Sequence, residues 1–268
     1  MGAVSLWLGV GFVDAEDDDF DQDTVFNFGG DGSAVWNMDS GYGLQFELQG
    51  RAGFTYDGDD DDDDDDNNLA YVATAVHGYT QGDRNAYGAY GALYGGGQVD
   101  ENDSAYYLGG ALEAASFLAN GTLFGQLGGG VLINDGGEGA ENHYFGRGGY
   151  RWFMNDYTKF EVDGLIGGVT GQGSLGICCG SYEPDGWYAN WGAEFEHQYA
   201  GTPLAAFIAY RGYFTNEDEE SEDSRDDMFE HVIKLGGTLR FGGDLRTVDH
   251  YMPFDAADQS QLLFWDEL

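Results

Sequence analysis

Alternation with a period of two residues runs through almost all of this 268-residue chain, and few folds accept it. Twelve segments carry the pattern: about 4 to 13, 25 to 38, 42 to 56, 69 to 80, 86 to 98, 104 to 117, 121 to 133, 142 to 154, 157 to 170, 186 to 199, 203 to 215 and 228 to 241. Most are 10 to 15 residues long. That is long for a soluble sandwich, whereas a tilted strand crossing a bilayer needs about 9 to 11 residues. No run reaches the roughly 18 apolar residues of a spanning helix, which leaves strands as the way across a membrane.

The connections alternate too. One set is short and made of turn residues: "DSG", "QGDRN", "LANG", "ND" and "AGT". The other set is mostly longer and acidic: "DAEDDDFDQD", "DGDDDDDDDDNN", "DENDS", "NDGGEGAEN", "GQGSLGICCGSYEPDG" and "NEDEESEDSRDD". These six hold 32 of the 49 Asp and Glu residues and one basic residue, Arg225. In an up-and-down barrel every second connection lies at the same end, so the alternation sends this charge to one rim. An even number of strands then puts both chain ends at the other. The fold class expected is all-β: a single antiparallel transmembrane β-barrel of about twelve strands, with periplasmic termini and long acidic extracellular loops.

Within strands the two faces separate. Leu44, Phe46, Leu48, Ala52 and Phe54 oppose Gln45, Glu47, Gln49, Arg51 and Thr55; Trp187, Trp191, Phe195 and Tyr199 oppose Asn190, Glu194, Glu196 and Gln198; Phe160, Val162 and Ile166 oppose Lys159, Glu161 and Asp163. A Lys or Arg facing lipid near the midplane costs about 2–4 kcal/mol, and seven doing so would exceed the whole stability of a typical domain, about 5–15 kcal/mol. The polar set therefore faces inward. The lumen lining expected is Glu47, Arg51, His77, Glu113, His143, Arg147, Arg151, Lys159, Glu161, Asp163, Glu194, Glu196, Arg211, Lys234 and Arg240. Such a balanced interior suits cross-lumen ion pairs, and twelve strands leave at most a narrow pore. Aromatic girdles are expected from Tyr42, Tyr87, Phe117, Trp152, Tyr157, Tyr199 and Phe241 at the turn side, and from Tyr56, Tyr94, Tyr106, Trp187, Phe214 and Phe229 at the loop side.

A net charge of −39 excludes a nucleic-acid partner, and the aromatic content is too high for a disordered chain. Cys178 and Cys179 are adjacent, leaving a strained vicinal bridge, free thiols and intermolecular bonds all open. The start of the chain lacks a basic n-region and does not read as a signal peptide.

The last segment, "HVIKLGGTLRF", resembles the closing strand of the bacterial outer-membrane β-barrel superfamily: Lys234, Gly236, Leu239 and Phe241 match its assembly signal of polar residue, glycine, hydrophobic residue and aromatic. The "AGTPLAAFIAYRGYF" hairpin and the glycine-rich strands look like uncharacterised porin-like barrels of Gram-negative bacteria. The resemblance implies a Gram-negative outer membrane, recognition by the insertion machinery, and contact with outer-membrane lipid and lipopolysaccharide. One departure is that the signal normally ends the chain, whereas 27 residues follow here. Residues 1–243 are thus read as barrel and 244–268 as a C-terminal periplasmic tail, which is disordered or folds back to plug the bore with Phe264 and Trp265.

The run Asp59, Asp60, Asp61, Asp62, Asp63, Asp64, Asp65 and Asp66 invites a calcium reading, but it places Asp64 and Ala70 where an EF-hand needs glycine and glutamate. A diffuse layer of loosely bound calcium or magnesium fits it better, with no cofactor required; such ions would bridge the loops to lipopolysaccharide or to neighbouring barrels in a homo-oligomer or lattice. Histidines 77, 143, 197, 231 and 250 lack metal-ligand spacing. No enzyme is expected: "GQGSLG" puts Gln172 where a nucleophile elbow needs glycine, and lumen pairs such as Glu194 with Arg211 are more economically structural. The leading function is a porin-like narrow passive conduit or a structural surface protein. The alternatives are a cation-dependent surface interaction, lattice or adhesion protein acting through the acidic loops, and a soluble or fibrous β assembly.

Overall fold

The computed structural model describes residues 1–15, 23–38, 41–56, 68–98, 104–134, 140–170, 186–217 and 227–258. The described residues form twelve strands and one helix: β1 (Gly2–Ala15), β2 (Asp23–Asn37), β3 (Tyr42–Tyr56), β4 (Asn68–Gln81), β5 (Asn85–Gln98), β6 (Ser104–Leu118), β7 (Gly121–Asn134), β8 (Ala140–Asn155), β9 (Thr158–Thr170), β10 (Gly186–Gln198), β11 (Leu204–Glu217), β12 (Asp227–Phe241) and α1 (Leu245–Tyr251). Each strand pairs antiparallel with its sequence neighbours, and β12 returns to β1, with Val4 opposite Leu239 and Val10 opposite Ile233. Closure leaves no strand edge unpaired, the condition for a sheet in hydrocarbon.

The outer surface is a belt of exposed apolar side chains, with Leu6, Leu8, Leu112 and Leu127 each at least 70% exposed. So large an unpartnered apolar surface does not belong to a soluble barrel, and the water-soluble alternative falls with it. At the loop side Trp187 packs on Phe214 and Phe214 on Phe229, at centroid distances of 4.5 and 4.6 Å. Tyr42, Tyr87, Trp152, Tyr199 and Phe241 stand exposed at the turn side.

Two rings expected in the girdles turn inward instead. Tyr94 is buried against Tyr107, and Phe117 packs on His250. Strand parity explains both, since Tyr94 shares a face with buried Tyr90 and Ala92, and Phe117 with buried Glu113 and Ala115. The Tyr56 side chain lies outside the described residues.

Glycine makes room for other inward rings, Tyr79, Tyr107 and Tyr188 among them. Tyr188 sits directly opposite Gly167 in the β9–β10 ladder, and a Cβ on Gly167 would stand 2.2 Å from the tyrosine Cζ. The ring lies across its neighbour's bare backbone, a cross-strand aromatic–glycine pairing that fixes register.

An eight-stranded barrel is filled by its own side chains and twelve strands leave surplus space. Here the chain's own C-terminal segment takes it. Gly242, at φ +112°, adopts a backbone that a side chain would strain, and it turns the chain back from β12. Asp244 then caps α1 by accepting the Thr247 N–H at 2.8 Å. Leu245 and Val248 are buried, and Val248, Met252 and Phe254 pack with Tyr79 and Phe124 of the wall. Ala256 and Ala257 join the cluster of Tyr90, Tyr94, Tyr107, Leu132 and Tyr188.

Candidate functional site

The inward face is a connected set of charges. Arg240 donates to both oxygens of Glu196 at 2.6 Å. Lys159 Nζ stands 3.1 Å from Glu161, 3.1 Å from Glu194 and 3.5 Å from Glu196. Arg147 and Arg211 share Asp163, at 3.0 and 2.6 Å. Glu194, expected from the sequence to pair with Arg211, thus bonds Lys159 instead. The reason is Gly192, which lies opposite Arg211 on one side and Asp163 on the other. With no side chain there, the guanidinium crosses over β10, and a Cβ on Gly192 would meet Arg211 Nη1 at 2.3 Å.

Arg151 joins wall to tail. It donates through Nε to Glu161 at 3.1 Å, and through Nη1 to Asp249 at 2.8 Å and to the Pro253 carbonyl at 2.9 Å; its Nη2 pairs with Asp255. Other wall residues hold the tail backbone: Gln45 donates to the Phe254 carbonyl at 2.5 Å, Gln126 to Asp255 at 2.7 Å and Arg147 to Asp255 at 3.0 Å. Glu47 accepts the Ala256 N–H at 2.8 Å, while Tyr94 donates to the Ala257 carbonyl at 2.5 Å and Asn190 to Asp258 at 3.1 Å. Gln81 and Thr122 reach the helix, at the His250 carbonyl and the Asp249 carboxylate, both 2.7 Å. Extended backbone inside a barrel needs such partners for its N–H and C=O groups.

His77 is buried between two acids, with Nδ1 3.1 Å from Glu113 and Nε2 3.5 Å from Glu47. Arg51 pairs with Glu230 and donates to Asn27 at 2.8 Å. His143 is buried beside Tyr107 and Tyr188, with Nε2 3.6 Å from Glu141. Lys234 lies over the Trp7 ring, 4.3 Å from its centroid. His197 and His231 are on the outer face, where His231 bonds Tyr210 at 2.8 Å.

What the tail leaves open is a cavity of about 250 Å³ along β1–β4 and β8–β12, lined by Trp7, Asp31, Lys159, Asp163, Arg211 and Lys234 among others, and bounded by Asp255 and Asp258. The structure therefore brings Arg147, Arg151, Lys159, Glu161, Asp163, Glu194, Glu196, Arg211 and Arg240 into one network, sets Glu47, His77 and Glu113 in another, and leaves Arg51 with Glu230, His143 with Glu141 and Lys234 on Trp7 outside both. Sequence reasoning passed over Asp31, Glu230, Asp249, Asp255 and Asp258. Strand parity could have found the first two: Asp31 shares a face with Asn27 and Ser33, and Glu230 with Lys234. Nothing periodic marks the other three.

The Asp59–Asp66 run, Cys178, Cys179, Phe264 and Trp265 lie outside the described residues. No group of three or more His, Cys, Asp or Glu side chains is placed to hold a metal among the described residues. Of the four residues of the assembly signal, Lys234 and Gly236 face the bore, and Leu239 and Phe241 are exposed on the outer surface.

No protein-family model matches the sequence, and none of the curated proteins is a match. Solved barrels match it in shape. The translocator domain of the autotransporter NalP from Neisseria meningitidis has a TM-score of 0.50 at 10% identity, over 90% of this chain and 88% of that one. The TodX monoaromatic hydrocarbon channel, a deltaS2 mutant, gives 0.48 at 10% identity over 90% of each chain. The NanC porin gives 0.47 at 8% identity, over 87% of this chain and 100% of that one. At such identity the likeness speaks to the fold alone.

Proposed function

We propose that this chain, which has the closed up-and-down fold of the outer-membrane β-barrels, spans the outer membrane of a Gram-negative bacterium as a porin-like passive conduit, its acidic loops outside and both chain ends in the periplasm. The observation that carries the reading is the bore itself: an ion-lined interior inside an apolar belt, narrowed by residues Asp244–Asp258 of the same chain. The tail belongs to the conduit as its plug. No catalytic step is part of this function, because the lumen acids nearest a base are committed to arginine, lysine, histidine or tail backbone.

The test is planar-bilayer recording of the full chain and of a chain ending at Gly243, each first shown to keep the heat-modifiable gel mobility of a folded barrel. Discrete conductance that rises several-fold on truncation supports a plugged conduit. Silence from both folded forms overturns it.

The loop composition favours a second role alongside the first. The acidic loops gather loosely held calcium or magnesium, bridging to lipopolysaccharide phosphates or to a neighbouring copy. Calcium-dependent clustering in lipid, lost when residues 59–66 are replaced by Ser-Gly repeats, is the expected result. Clustering that ignores the replacement would remove this role.

A further inference from the structure

Lys234 differs from every other inward basic residue. Arg51, Arg147, Arg151, Lys159, Arg211 and Arg240 each have a carboxylate at ion-pairing distance. Lys234 has none among the described residues; its ammonium rests on the Trp7 ring, 4.3 Å from the centroid. A cation–π contact offsets only part of what it costs to take an ammonium out of water. An enclosed wall that pairs all its other cations leaves this one facing the cavity of about 250 Å³.

The same cavity holds a complementary exception. Asp31, on β2, also lines it; its carboxylate accepts the Trp7 indole N–H but has no basic side chain at ion-pairing distance among the described residues. Between Lys234 and Asp31 in the wall stands β1, which presents only Ser5, Trp7 and Gly9 inward at this level. Ser5 is opposite Asp31 in the β1–β2 ladder and Gly9 is opposite Lys234 in the β1–β12 ladder. Two charges of opposite sign, each short of a direct ion pair among the described residues, thus flank one indole ring, with small residues on either side. The space has room for a small organic molecule.

We infer that the cavity beside the tail is a binding site for a small zwitterion, with the ligand's carboxylate on Lys234, its ammonium on Asp31 and its carbon chain against Trp7. A zwitterion gives both side chains a direct partner at once, so a molecule carrying both groups gains over one carrying either alone. The site does not depend on whether the bore conducts, because it is read by binding to the folded barrel in detergent.

The experiment is isothermal titration of the full-length chain, at matched ionic strength, with three molecules of similar size: β-alanine, propionate and propylammonium. β-Alanine is expected to bind tightest. Lys234→Gln keeps a polar residue at this position and should weaken β-alanine and propionate tenfold or more, while Lys234→Arg retains both. Asp31→Asn should weaken β-alanine and leave propionate unchanged. Variants are compared only where gel mobility shows a folded barrel, and Lys234→Arg guards against loss through misfolding. β-Alanine binding no tighter than propionate, or binding indifferent to Lys234→Gln, overturns the assignment.

Discussion

Arg151 shows how a buried charge can be tolerated in a barrel. Its guanidinium is almost wholly enclosed and meets Glu161 on the wall, Asp249 and Asp255 on the tail and the Pro253 carbonyl. Removing one partner from a buried ionic set leaves the rest unpaired, at a cost of about 3–5 kcal/mol. The Arg151→Met substitution keeps much of the side-chain length and strands three carboxylates near one another. The strain falls on the tail, since Glu161 retains Lys159 at 3.1 Å whereas Asp255 has no second ion pair among the described residues. The expected outcome is a tail that a protease clips in the folded variant and spares in the parent, with the barrel itself still resistant. An equally protected tail in the variant would show that the backbone hydrogen bonds of Gln45, Gln126 and Glu47 suffice without the charge.

At the scale of the strand, the outward face is governed by lipid and the inward face by pairing, so equal changes should have unequal costs. Leu127 is 71% exposed at the level of Leu112 on the next strand. Leu127→Arg should therefore destabilise the refolded barrel by about 2–4 kcal/mol in a urea titration in lipid, while the same change at a turn-side girdle position such as Tyr87 costs about 0–1 kcal/mol. Similar costs at the two positions would mean that the belt does not sit where the exposed leucines place it. The strands and their facing were legible in the sequence because both follow from a two-residue period that lipid enforces. Tyr94 and Phe117 were misplaced because nearness to a strand end was weighed above parity, and parity won. Partners were harder to read than faces. Lys159 takes Glu194 and Arg211 takes Asp163 because a glycine at position 192 opens a path across β10, which no spacing along one strand reveals. The seat of the tail was illegible for a related reason: Asp249 and Asp255 find Arg151 about a hundred positions away in the chain, and only closure of the barrel brings them together.

For the molecule as a whole, charge is sorted along the axis more strongly than across it. Inside the bore each basic side chain except Lys234 meets one or more carboxylates, whereas the six acidic connections carry 32 carboxylates against one arginine. All six join strand ends on the same rim. A rim of one sign raises the local concentration of counter-ions and depletes co-ions, over a distance set by screening. That distance is about 10 Å at 0.1 M salt and about 3 Å at 1 M, so the effect on a narrow mouth should be strong in dilute salt and weak in concentrated salt. With the tail removed at Gly243, the barrel should pass potassium in preference to chloride. The reversal potential across a tenfold potassium chloride gradient should lie near the potassium limit at low concentration and drift towards zero as both sides are raised. Replacing residues 59–66 with Ser-Gly repeats removes eight of these carboxylates and should shift the low-salt reversal potential towards zero while leaving the high-salt value alone. A preference for potassium that persists at 1 M, or that the replacement does not touch, would move the origin of selectivity from the rim to the bore, to unpaired lumen acids such as Asp31.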